Sequence, residues 1–188
     1  MAINTDGFQG IWPPHRMFYI ESMLFNSQAA CASISAVADV LAALEQGSPS
    51  GTIDTHAVLN EIQSIVLHGA AVSRYFWPVR QGHERRAEEL RHNFEVTEES
   101  PLYSRSLRNA LEHFDERLDK YLASGIVGHI IPEFLGRSGK TDVPVHVFRA
   151  YFLDTGDFQL LDEKYPIPPL AEALWSLNAS LLKQSGRG

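Results

Sequence analysis

Residues 107–122, LRNALEHFDERLDKYL, carry the pattern of an amphipathic helix. Stepped at about 100° per residue, Leu107, Leu111, Phe114, Leu118, Tyr121 and Leu122 gather within roughly a third of a helical circumference. Such a stripe is expected to pack in a core. Arg108 and His113 flank it about 140° apart, and Asn109 lies one turn before His113 on nearly the same line. The three border a polar surface that a second subunit could cover. An arginine can hold a phosphate and a histidine can move protons near neutral pH, which are the two tasks of metal-free RNA cleavage.

Working outward, Ser100 is the expected N-cap of this helix, with Pro101 at its first position and Gly125 just past its end at Ala123. Three more helices precede it. One spans about Phe18 to Leu44, where Ile20, Leu24, Cys31, Ile34, Ala38 and Leu41 step by threes and fours, and Gly47, Ser48, Pro49 and Gly51 end it. The next spans about Thr55 to Phe76, with Val58, Ile62, Ile65, Val72 and Phe76 on one stripe, and stops at Pro78 because proline cannot continue it. A shorter helix covers His83 to Phe94. Together these read as a bundle over residues 18–124.

After Ile126 the pattern changes. A helical turn or short helix is expected to Leu135, followed by a GRSGKTD loop. Residues 143–163 then read as two β-rich runs around Asp154, Thr155, Gly156 and Asp157, a small antiparallel hairpin. Pro166, Pro168 and Pro169 lead into a last helix over 168–184, with Leu170, Leu174, Leu177 and Leu181 as its core positions. The expected fold class is mainly α: an antiparallel helical bundle with a small C-terminal β-hairpin and a final helix. One domain over 1–188 suffices, since a chain of this length can bury about two thirds of its unfolded surface.

Composition narrows the classes further. With 44% hydrophobic and 21% charged residues the chain is an ordinary globular protein, without repeats or low-complexity tracts. The single cysteine, Cys31, sits in the small-residue run AACASISAVA and is expected to be buried as a small hydrophobe, which suits a reducing compartment. No span reaches about eighteen consecutive apolar residues, and MAINTDGFQGIWPPHRMF lacks the charged and apolar regions of a secretory signal. A cytoplasmic protein is expected. The net charge of −7 argues against a nonspecific nucleic-acid coat, which draws on many Lys and Arg contacts. A local basic site is still open: between Arg74 and His92, five arginines (Arg74, Arg80, Arg85, Arg86, Arg91) face three glutamates (Glu84, Glu88, Glu89). Arg74, Arg80, Arg85 and Arg86 are the RNA-binding candidates, against the plainer reading of a solvated face with pairs such as Arg85 and Glu89.

Several motifs fail on spacing. In GRSGKT, Gly136 to Thr141, the first glycine of a phosphate loop would fall on Phe134, and DVPV does not begin a helix. Glu89 and His92 have the Glu-x-x-His spacing of di-iron bundles, but no other histidine has a Glu three residues before it. HERRAEELRH lacks the second histidine of the zinc-protease helix, and no GxSxG marks a nucleophile elbow. No metal and no cofactor are expected.

The segment Arg108-Asn109-Ala110-Leu111-Glu112-His113 resembles the motif of the HEPN superfamily (higher eukaryotes and prokaryotes nucleotide-binding). In that motif an Arg, a polar residue often Asn or Asp, and a His a few residues on lie on a late helix of a helical bundle. The resemblance covers about Phe18 to Ala123 by architecture and these six residues by motif. It implies a homodimer that brings two motifs together and cleaves RNA without metal, as a toxin or phage-defence effector, with a protein inhibitor as a further partner. His113 would be general base or acid, Arg108 would hold the phosphate, and Asn109 would orient the imidazole or phosphate. Asp115 stands where some toxin members carry a tyrosine that an antitoxin modifies, so control by that route is not implied. The superfamily also contains noncatalytic members, and the alternative is a helical module that binds a protein partner or nucleotide, docking through Tyr75, Phe76 and Trp77 beside Arg74 and Arg80.

Overall fold

The computed structural model describes residues 10–47, 49–139 and 142–187, leaving the side chains of Ser50, Leu107 and Arg108 outside the description. Within these residues the chain is mainly helical, with a small four-stranded sheet and a final helix. α1 (Pro13–Glu45) starts earlier than the expected Phe18 because Pro13 and Pro14 occupy its first turn, where a missing N–H costs nothing. α2 (Thr55–Phe76) follows, its first turn capped by Asp54, which accepts the Ala57 N–H at 3.1 Å. Ser48, one of the expected terminators between α1 and α2, lies outside the described residues. α3 (Glu84–Phe94) closes with Glu95 in the left-handed region, φ 53°.

The core is built by α1, α2 and α6 (Pro168–Gln184), with the sheet joining at one end. Met23, Ile62, Val72, Phe76, Leu174 and Leu181 are fully buried, each worth roughly 1.5–3 kcal/mol relative to exposure. The expected stripe of α2, from Val58 to Phe76, is buried throughout, as are Leu174, Leu177 and Leu181 of α6. On α1, Ile20, Leu24 and Cys31 are buried, whereas Ala38 faces out. Burial raises the Cys31 thiol pKa. By length and composition α1 could cross a bilayer, although Asn26, Ser27 and Gln28 interrupt its apolar run; here it packs on α2 and α6.

Residues 107–122, expected as one helix, are divided between two. Ser100 caps a 3-10 turn at Pro101–Tyr103, and α4 begins only at Ser106, running to Glu112. Leu102 is buried in that turn and its carbonyl accepts the Ser73 hydroxyl at 2.7 Å, which holds the segment against α2 and delays the helix. His113, at φ −115° and ψ 36°, separates α4 from α5 (Phe114–Ala123). Hydrogen bonding nonetheless continues through the break: the His113 N–H reaches the Asn109 carbonyl at 3.0 Å, and the Arg117 N–H reaches the His113 carbonyl at 3.2 Å. Beyond the bend α5 leans on the sheet. Phe114 meets Phe148 edge-on with centroids 5.0 Å apart, and the Tyr121 hydroxyl lies 2.7 Å from His146 Nδ1. The stripe expected in the core is therefore only half-buried at Leu111, Phe114, Leu118 and Tyr121, and Leu122 is 53% exposed because α5 ends at the periphery.

Residues expected as helical before Leu135 are instead β1 (His129–Gly136). β1 runs parallel to β2 (Val145–Phe152), which pairs antiparallel with β3 (Asp157–Leu160), and β3 with β4 (Glu163–Pro166). The hairpin expected at 143–163 is therefore the centre of a larger sheet, ordered β1-β2-β3-β4. Long-range pairing overrides local preference here. Pro132 is tolerated because β1 is an edge strand. The carboxylate of Glu133, 2.8 Å from His56 Nδ1, ties β1 to the start of α2. Tyr151, Phe158 and Tyr165 form one cross-strand row that belongs to the core, so the Ala150, Gln159 and Lys164 row lies on the opposite face.

Candidate functional site

The bend between α4 and α5 concentrates the residues with acid–base potential. His113 is the residue of the break itself, and its side chain is 61% exposed. Its Nδ1 lies 4.0 Å from a carboxylate oxygen of Glu116, one turn ahead on α5. Asn109 is exposed on α4 one turn before it. Arg108 belongs to α4, but its side chain lies outside the described residues, so its approach to His113 is not defined.

Two further arginines reach the bend. Arg74, from the last turn of α2, donates to Glu112 at 2.7 Å, immediately before His113. Arg117, one turn after His113, turns the other way: it donates to the Tyr165 hydroxyl at 3.1 Å and forms an ion pair with Glu163. Burial raises the pKa of Tyr165, and its hydrogen bond to Glu163 adds to the rise. Arg117 thus fastens α5 to β4. The Arg74 and Glu112 pair spans residues far apart in the chain, and no local pattern announces it.

The other RNA-binding candidates separate. Arg80 and Arg85 are exposed. Arg86 is half-buried, with its guanidinium carbon 5.5 Å from the Tyr19 ring centre and 5.7 Å from that of Tyr75. That arginine works as a cation–π contact between α1, α2 and α3. Glu89, proposed as a partner for Arg85, accepts the Ile11 N–H at 2.6 Å. The aromatic run suggested as a docking surface is packed inward: Phe76 and Trp77 are buried, and Phe76 meets Phe94 edge-on at 6.2 Å. These rings close the end of the helical core, where the large apolar area favours burial.

An apolar cavity of about 260 Å³ lies behind the start of α4, lined by Val66, Leu102, Arg105, Tyr165 and Leu170 among others. Among the described residues its lining has no histidine or carboxylate and so offers no acid–base pair. Among the described residues no three His, Cys, Asp or Glu side chains group closely enough to hold a metal ion.

A second cluster, with no motif to mark it in the sequence, lies on the opposite sheet face, where Phe134, Phe152, Gln159 and Lys164 surround a hollow of about 310 Å³. Its only local signal is the spacing of aromatic residues in the β-rich runs; the strand register that assembles it is long-range. No family model matches this chain, and no curated protein or solved structure does so either.

Proposed function

We propose that this chain is a HEPN-like, metal-independent endoribonuclease acting as a homodimer with a composite site of Arg108, Asn109 and His113. The observation that carries this reading is the helix break at His113, which leaves an imidazole open to solvent one turn from an exposed Asn109 on α4.

In the proposed reaction His113 of one protomer takes the proton from a ribose 2′-hydroxyl, and that oxygen attacks the adjacent phosphorus. The bond from phosphorus to the 5′-oxygen breaks, and the second protomer's His113 delivers a proton to the leaving oxygen. Arg108 neutralises charge developing on the non-bridging oxygens, a task suited to its planar fork of donors, and Asn109 orients the imidazole or phosphate. The products are a 2′,3′-cyclic phosphate and a 5′-hydroxyl. Exposed Arg80 and Arg85 extend the phosphate-binding track along the strand.

A second reading, a noncatalytic HEPN-like module that binds a protein partner, is favoured by Phe18 and Phe25. They are 74% and 73% exposed and lie two turns apart on α1. One assay separates the two readings. Wild-type protein and the His113→Ala and Arg108→Ala variants are incubated with total RNA in EDTA, with end-group analysis of the products. Cleavage to cyclic phosphate ends that disappears in both variants supports the ribonuclease; absent cleavage, or cleavage that survives in both, supports the binding module. Light scattering reads the same idea independently, because a strictly monomeric chain has no composite site.

A further inference from the structure

On the sheet face opposite Tyr151, Phe158 and Tyr165, Ala150 and Phe152 are buried, Phe134 and Gln159 are half-buried, and Lys164 is exposed. The register sets Phe134 beside Ala150, Ala150 beside Gln159, and Gln159 beside Lys164, so one row crosses all four strands. Phe152, two residues past Ala150, shares that face. The Phe134 and Phe152 rings lie 5.9 Å apart, tilted by 50°, and the Lys164 ammonium sits 4.2 Å above the centre of the Phe152 ring. Gly136 seats the Phe134 ring, since a Cβ there would come within 2.7 Å of the ring's Cζ.

The chain leaving β1 walls this hollow. Arg137, Ser138 and Gly139 line it, together with Lys164 and Gln159. Asp154 holds the wall in place, accepting the Ser138 N–H at 2.8 Å and the Ser138 hydroxyl on its other oxygen. Those two hydrogen bonds, with the charge of Arg137 as a lesser cause, keep the Asp154 carboxyl below its ordinary pKa. Of the nearby acids, Glu163 is engaged by Arg117 and Tyr165, and neither it nor Asp154 lines the hollow. Among the described lining residues the charged ones are Arg137 and Lys164, both exposed, so the hollow favours an anion.

We infer that this hollow binds a nucleotide, with a base against Phe134, its polar edge at Gln159, and a phosphate between Arg137 and Lys164. Aromatic faces accept any base by stacking, while arginine and lysine supply phosphate contacts. The volume of about 310 Å³ is at the lower end for small-ligand pockets, roughly 300–1,000 Å³, and suits one nucleotide unit. The same chemistry is presented by a free mononucleotide and by one residue of a single-stranded RNA. The site is separate from the α4–α5 bend and stands whether or not that bend is catalytic.

Titration calorimetry tests this on the intact protein with adenosine 5′-monophosphate, adenosine, inorganic phosphate and a short 5′-phosphorylated oligoadenylate, all on a His113→Ala background that prevents cleavage. The mononucleotide is expected to bind saturably and at least tenfold more tightly than adenosine or phosphate alone. Arg137→Ala with Lys164→Ala is expected to weaken it tenfold or more, and Phe134→Leu, which keeps apolar volume and guards against misfolding, by several-fold. An oligoadenylate that binds at least tenfold more tightly than the mononucleotide and loses that affinity in the same variants identifies RNA as the source; equal affinities identify the free nucleotide. No saturable mononucleotide binding at millimolar concentration, or binding unchanged in the double variant, overturns the inference.

Discussion

Arg74 of α2 and Glu112 of α4 meet at 2.7 Å one residue before the chain breaks at His113, so the candidate site is anchored to a helix nearly forty positions earlier in sequence. Both side chains are well exposed, and water screens such a pair; its contribution to stability is below about 1 kcal/mol. Its effect falls on charge near the bend. On the ribonuclease reading, Glu112→Gln removes the negative partner and raises RNA affinity several-fold, whereas Arg74→Ala lowers it and flattens its dependence on salt. Filter binding at two ionic strengths, with urea unfolding to show that stability shifts by less than about 1 kcal/mol, reads both effects.

Phe76 is fully buried where α2 ends, against Trp77 and Phe94. Phe76→Ala leaves a cavity in addition to the lost transfer energy, and about 3–5 kcal/mol of destabilisation is expected. The midpoint of urea unfolding should fall accordingly. An unchanged midpoint would mean that these rings do not close the core.

Gly128 stands at φ +139° just before β1, and a Cβ there would approach the Pro144 carbonyl oxygen to 2.2 Å. Backbone cannot yield as a side-chain tip can. Gly128→Ala therefore combines conformational strain with a clash at the first rung of the parallel β1 and β2 pairing, at a cost of about 1–3 kcal/mol. Thermal unfolding checks the magnitude, and hydrogen exchange of the β1 amides should show whether the loss is local to that strand.

The Ser138 to Asp154 clasp makes the wall of the sheet hollow sensitive to acid. The folded-state pKa of Asp154 is depressed, so the clasp contributes fully above the ordinary aspartate value of about 3.9 and is lost as pH falls through the lower folded-state value. The Ser138 amide resonance is expected to move through that acidic window while core resonances hold. Asp154→Asn should remove the transition; its persistence in that variant would assign it to another group.

How much of this was legible in the chain depended on the range of the interactions involved. α2 was readable to both ends because its stripe and Pro78 are local signals, and Leu174, Leu177 and Leu181 of α6 announced their burial by spacing alone, while Leu170 is only partly buried. His113 and Asn109 could be nominated by type, but their setting could not, because the segment after the break packs on residues of the sheet such as Phe148. The aromatic run at Tyr75 to Trp77 was ambiguous in sequence: the same residues suit a docking patch or a core plug, and only the surrounding helices distinguish them.

Helical period and proline act within a few positions, so the places of α2 and α6 and most of their buried stripes followed from the chain alone. Tertiary structure alone decided that 129–136 pairs as a strand, that the α4–α5 segment breaks at His113, and that Phe134 and Lys164 share a face. Each of these requires partners many residues away, and the free energy that selects them comes from pairing and packing that no short window of sequence contains.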